Sequence, residues 1–376
     1  MDRHPAASQN EGNNSKETKY TSMVKHDSTI WLMKPSFKYD VLTFLNTLSG
    51  DPFYRKYYQK EFGHFDTLIT PAARAAIASL KRKVRDESGN IISAFLSLYF
   101  SATDAETLDD MLATLKDSET MQKILRDTPY YSDDGWRLYN SVRPELKTIF
   151  QYLQEIDFTH YWREHVLPLA TAKIKDIEPQ LPRYNVIEEV ERLLGHPLPS
   201  DTITVYMLYF SQPHGIRITG TRFLTDVAWP SSIVLRNAVH EMMHPPYILE
   251  NDAELRKALE LLKNDRYLME KVEHHDPSFG YNSFDGFIEE DVVQALEQLV
   301  NDSLGIAVDA RTRWKQNDDG MHVFAVALYG VMKEEQFGQS GQSIRDFLMR
   351  QVNEGRLKAG QIAGRYREFY GEAVPR

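Results

Sequence analysis

Apolar positions recur with helical spacing through most of the first half of the chain. Val41, Leu42, Phe44, Leu45 and Leu48 form one such set, Ile91, Ile92, Phe95, Leu96, Leu98 and Tyr99 a second, and Leu108, Met111, Leu112 and Leu115 a third. Pro71, Gly89, Pro129 and Pro144 punctuate this run, which extends from about Tyr39 to Leu194. The pattern then changes. Thr202 to Phe210 is β-branched and aromatic, Ser211 to Gly215 reads as a turn, and Ile216 to Leu224 reads as a returning strand with Gly220 marking an edge or a bulge. A shorter β-rich run, Thr29 to Met33, predicts a strand that joins the same sheet. Helical patterns resume after Pro230 and continue past Asn301, with apolar stretches at Phe324–Leu328 and Ile344–Val352. These elements predict an α+β fold, mostly α, with one small mixed or antiparallel sheet and a long helical N-terminal region. Residues 1–27 read as a disordered tail, since Asn10 to Lys16 offer nothing to a core. Residues 28–200 form the mainly helical N-terminal region and 201–376 the remainder.

The remainder holds the most informative pentapeptide, His240-Glu241-Met242-Met243-His244. On a helix, residues four apart share a face, so two imidazoles there can hold one metal ion, and the intervening acid lies beside it. Ser231 to Val239 lead directly into the motif, and Pro230 with two following serines gives a start signal in which either serine can cap the helix. Ile233, Val234, Ala238, Val239, Met242 and Met243 make this helix apolar enough to be buried, where two histidines and a glutamate need partners. Pro245 follows His244 at once, so the helix is expected to end at the second histidine. Imidazole and carboxylate donors suit zinc, and a catalytic zinc keeps three protein ligands. The third is expected from Phe287 to Val300, a helical pattern with Gly286 just before it. Glu289 and Glu290 compete: Glu289 shares the more apolar face with Val292, Val293 and Leu296, and Glu290 lies with Val293, Gln294 and Glu297.

In these residues the chain resembles the gluzincins, the thermolysin-like and aminopeptidase-like branch of zinc metallopeptidases. The resemblance covers His240 to about Val300. It implies a zincin-like helical core within 201–376, with Glu290 as third zinc ligand and Glu297 as a further acid on the same helix. It implies Glu241 as general base and a zinc-activated water as the attacking group, hydrolysing a peptide bond in a peptide or protein substrate. It also implies an oxyanion donor, for which Tyr281, shortly before Glu290, matches the family's tyrosine; His322 and Tyr329 are rivals. An edge strand preceding the motif helix would pair with substrate through its backbone. Arg217 and Arg222 could contact that substrate or simply discourage edge pairing. His214 reads as a turn residue, and His274-His275 as solvated loop histidines. The contrasting expectation is a helical binding protein whose zinc site is structural or vestigial.

Composition narrows the partners. A net charge of −10 and a pI near 5.7 argue against nucleic acid, and the cluster Lys81-Arg82-Lys83-Val84-Arg85 is followed by Asp86 and Glu87, as on a solvated helix face. No apolar run is long enough to span a bilayer. The chain has no cysteine, which excludes disulfides and thiolate ligands. That absence fits an exported protein, although cytosolic proteins also lack cysteine at times and residues 1–27 hold no apolar leader, so export would require a leader upstream of Asp2.

Overall fold

A computed structural model describes residues 28–372, so the expectation for residues 1–27 lies outside the described residues. The fold is mostly α, an α+β arrangement with a small four-stranded mixed sheet. Its strands are β1 (Ile30–Pro35), β2 (Thr202–Leu208), β3 (Ile216–Ile218) and β4 (Arg222–Asp226), in the order β1-β2-β4-β3. β1 pairs parallel with β2, from Ile30 opposite Thr202 to Pro35 opposite Met207.

The returning strand expected over Ile216–Leu224 is two strands. Gly220 (φ +73°) makes a turn that only a residue free of Cβ adopts easily, and β3 folds back antiparallel on β4. β4 then runs parallel to β2, with Val205 opposite Phe223, so β2 and β3 are not partners. β3 is left at the sheet edge.

The sheet separates two hydrophobic cores, and the two-residue period of its strands assigns side chains to each. Ile203, Val205, Met207 and Phe223 face the core that holds the motif helix. Tyr206, Leu208, Ile216, Ile218 and Leu224 face a core built by N-terminal helices. The helix Phe37–Leu48 runs through that second core with all twelve residues buried. Asp40 on it joins the cores' frame to the sheet: it accepts from the backbone N–H of Tyr209 (2.8 Å) and Phe210 (3.2 Å) and from Trp162 Nε1 (2.8 Å). Residues Ala170 to Leu198, though N-terminal to the sheet, pack with the motif helix.

Pro144 does not end a helix. It lies inside Asp133–Glu155, where buried Tyr139, Val142, Leu146, Ile149 and Phe150 keep the helix seated on the core despite the missing N–H. The basic cluster behaves as a solvated face: Lys81 pairs with Asp86, Arg82 with Glu87 and Lys83 with Glu145, while Val84 alone is buried. Among the described residues no helix is long and apolar enough to cross a membrane.

Candidate metal centre

The motif helix is Ser231–Met243. Neither serine caps it. The first residue, Ser231, donates its hydroxyl to Gln180 Oε1 (2.8 Å), and Pro230 occupies the cap position without a side-chain bond, its carbonyl accepting from Ile233 and Val234. At the other end His244 is extended (φ −82°, ψ 137°), as a residue before proline prefers. Its imidazole nevertheless meets that of His240, with the two Nε2 atoms 3.2 Å apart.

The opposing helix is Phe284–Leu304, capped by Ser283, whose hydroxyl accepts from Gly286 N at 3.2 Å; Gly286 therefore lies in the first turn rather than before the helix. It is buried on almost every side from Phe287 to Asn301, so the apolar stripe that favoured Glu289 has no directional meaning. Glu290 is 2% exposed, and its Oε2 lies 3.4 Å from His244 Nε2 and 3.7 Å from His240 Nε2. Glu290 Oε1 accepts from Gln294 Nε2 (2.8 Å), but Oε2 is buried with no hydrogen-bond donor. Glu289 is half-buried and sits on the far side of the second histidine, where His244 Nδ1 donates to its Oε1 (3.3 Å).

His240 is held in the same way: its Nδ1 donates to Glu297 Oε2 (3.1 Å). Glu297 is buried and receives Arg313, and its Oε1 accepts from Asn301 Nδ2 (3.0 Å). Because carboxylates only accept, each bond puts the proton on Nδ1 and leaves the neutral ring's lone pair on Nε2. With both rings neutral, as metal ligands must be, two lone pairs and a carboxylate oxygen with no hydrogen-bond donor converge on one point. Tetrahedral zinc with bonds of about 2.0–2.1 Å spaces its ligand atoms roughly 3.3 Å apart, close to the 3.2, 3.4 and 3.7 Å seen here. The donor set fits such an ion, and Glu289 and Glu297 stand where an outer carboxylate would orient a histidine ligand. The field at this point favours positive charge. Burial opposes charging His244, but Glu289 and Glu290 outweigh it and raise its pKa to about 10. Burial alone would raise Glu290; His240 and His244 instead hold it well below the usual carboxylate range.

Glu241 is 6% exposed and opens onto the cleft beside the two histidines. Burial raises its pKa, with the histidines and Arg217 acting in the opposite sense. The backbone of Gly215, just before β3, presses against it: a Cβ there would stand 2.9 Å from Glu241 Oε1 and 3.2 Å from Asn237 Nδ2.

Tyr281 lines the same cleft. It adopts φ +58° after Gly280 (φ +88°), a left-handed turn whose Gly280 carbonyl accepts from His275 Nε2 at 2.9 Å. His275 therefore braces the tyrosine loop rather than standing in solvent. Burial of the Tyr281 hydroxyl, then the charges of Glu290 and Glu241, push its pKa well above the usual phenol value. The two rivals are engaged elsewhere. Buried His322 sits between Asp291 (2.6 Å) and Asp318 (3.0 Å), and Tyr329 donates to Asp302 (2.6 Å).

The arginines of the hairpin act within the fold. Arg217 donates to the carbonyl of Glu241, fastening the last turn of the motif helix to β3, and Arg222 donates to the carbonyls of Ser101 (2.9 Å) and Thr219 (2.8 Å). His214 does more than turn the chain: it lines the cleft, with Nε2 3.0 Å from Tyr54 Oη, and burial lowers its pKa to about 4.

Two adjoining cavities, about 610 and 310 Å³, meet at His240 and Glu241. A third, about 500 Å³ and mainly apolar, lies beyond His244 against Pro245, Pro246 and Tyr247. The cleft thus passes the converging donors on both sides. The residues missed in the sequence are Gly215, Arg236 and Arg313. Only Arg236 left a signal, one helical turn before His240 on the same face.

Compared with family models, curated proteins and solved structures, the chain matches none.

Proposed function

We propose that this chain is a zinc-dependent peptidase of the gluzincin kind, with His240, His244 and Glu290 as metal ligands. The observation that carries the reading is the convergence of two imidazole Nε2 atoms and an undonated buried carboxylate oxygen beside Glu241, in a cleft bordered by edge strand β3. When bound, the ion supplies polarisation of the scissile carbonyl and a water acidified to a pKa of about 7. Glu241 takes the proton of the attacking water and returns it to the leaving amine. Its burial suits this work, since a raised pKa brings a carboxylate closer to the proton affinity of its partners. Tyr281 donates its hydroxyl proton as a hydrogen bond to the oxygen that gains charge. β3 offers backbone groups along the cleft for an extended substrate strand. Glu297 and Glu289 keep the two imidazoles turned toward one point, so that little rearrangement accompanies binding.

The test is elemental analysis of the purified chain together with cleavage of a peptide library by wild type and by Glu241→Gln. The expected result is one zinc per chain in both proteins, and hydrolysis by the variant reduced about a thousand-fold or more, because removing a general base disables the unit it belongs to. Equal turnover by the two proteins would falsify this role for Glu241. Zinc without hydrolysis in wild type would leave a metal site that serves structure alone.

A further inference from the structure

The charges lining the larger cavity are unevenly partnered. Among its carboxylates, Glu290 lies against both histidines, Glu297 receives His240 and Arg313, and Asp318 receives His322, while Glu241 stands beside the histidines with no ion pair of its own among the described residues. Two cations on its wall have no such relationship. Arg236 is half-buried, and among the described residues no carboxylate lies within ion-pair distance of its guanidinium. Lys56, at the rim, rests its ammonium over the rings of Phe53 (4.4 Å) and Tyr57 (4.9 Å), and among the described residues it too has no carboxylate within ion-pair distance.

Burial of the half-buried Arg236 guanidinium disfavours its charge, which the more distant Glu297 only partly offsets, so an anion entering the cavity would find a cation with no ion-pair partner in contact. Arg236 stands one turn before His240 on the same helix face, about 6 Å along the axis. A group held by Arg236 therefore lies one residue, or at most two, from a carbonyl placed at the converging donors. The planar fork of arginine matches a carboxylate with two parallel hydrogen bonds.

We infer that Arg236 recognises a substrate carboxylate one or two residues from the scissile bond, with Lys56 drawing that anion toward the cavity from its rim. The inference rests on the peptidase reading for its substrate class. The carboxylate could be a free C-terminus or an Asp or Glu side chain, and the two sources are separable.

The experiment has a binding arm and a cleavage arm. In the binding arm, calorimetry measures acetyl-Phe-Phe as the free acid and as the C-terminal amide, and acetyl-Phe-Glu amide against acetyl-Phe-Gln amide, on zinc-loaded full-length Glu241→Gln. One acid is expected to bind about ten-fold or more tighter than its uncharged analogue, the scale of a charge-assisted pair. Preference for the free acid identifies a C-terminal carboxylate, and preference for the Glu peptide identifies a side chain. Adding Arg236→Met should erase the difference while leaving the uncharged analogue's affinity and the zinc content unchanged, and Arg236→Lys should restore part of it. In the cleavage arm, otherwise wild-type Arg236→Met should raise KM for the acid and spare kcat. Equal affinity for both members of both pairs overturns the inference, as does a preference that survives in Arg236→Met. Because the binding arm needs no turnover, loss of the peptidase reading shows only as absence of cleavage by wild type.

Discussion

Glu297 grips His240 from behind: its Oε2 accepts the Nδ1 proton at 3.1 Å while the opposite ring nitrogen points at Glu290 and His244. Glu289 stands in the same relation to His244. Both carboxylates lie outside the converging set, so removing either should loosen the ring it orients and leave all three donors in place. Glu297→Gln and Glu289→Gln are expected to weaken zinc binding about 10- to 100-fold, whereas Glu290→Ala should abolish it at micromolar metal. Competition with a chromogenic chelator measures all three. Metal loss from the Glu289 variant with retention in the Glu290 variant would exchange their roles.

Gly215 tests how closely the cleft is fitted around Glu241. A methyl group there meets Oε1 of that residue at 2.9 Å, closer than real Cβ contacts allow, so the carboxylate must turn aside. Gly215→Ala is expected to bind zinc normally and lose about 10- to 100-fold in kcat, since small displacements of a catalytic group cost rates of this order. Unchanged kcat would show that Glu241 acts from another orientation.

Tyr281 and Tyr329 separate by what their hydroxyls touch. Tyr281→Phe removes a donor beside Glu241 and Glu290 and should lower kcat roughly 100-fold with zinc retained. Tyr329→Phe removes a bond to Asp302 and should leave kcat unchanged, at about 1 kcal/mol of stability. Steady-state kinetics on a cleaved peptide and a urea titration distinguish the two effects.

Asp40 governs a pH dependence that lies away from the cleft. Burial pushes its carboxyl up to about 7, against the three donors that favour its charged form. A folded-state pKa above the unfolded value means that the native chain holds the proton longer. The stability Asp40 contributes is therefore complete below about pH 4 and is lost as pH rises through 7. Asp40→Asn fixes the neutral state, so its stability deficit relative to wild type should shrink from pH 5 to pH 8. Urea midpoints across that range measure it, and a constant gap would refute the assignment.

Local chemistry made much of the fold legible. The apolar spacing of Val41 to Leu48, the start at Pro230 and the stop imposed by Pro245 each depend on neighbouring residues alone, and each left its mark in the chain. The second carboxylate was harder. A helical wheel assumes one buried face, and by that measure the apolar stripe favours Glu289; Phe284–Leu304 is enclosed nearly all round, so the measure does not discriminate, and only the resemblance points to Glu290. The hairpin was misread for a different reason: β-branched residues continue on both sides of Gly220, and only the positive φ of that glycine divides them. Pro144 misled because its cost is offset by packing from distant helices. Gly215 against Glu241 and Arg313 on Glu297 are contacts between different elements, set by how those elements pack, and nothing near either residue in sequence announces them.

The pairing of Ile30–Pro35 with Thr202–Leu208 has a consequence for how the molecule assembles. The two strands flank nearly all of the N-terminal helices, so joining them closes a very long loop whose entropy must be met before the ladder returns anything. Local helices can condense early, whereas β1 must find a partner remote in the chain. β2, β4 and β3 are close in sequence, so the hairpin that carries β3, and the glycine that shapes the pocket of Glu241, can form before β1 docks at the far edge.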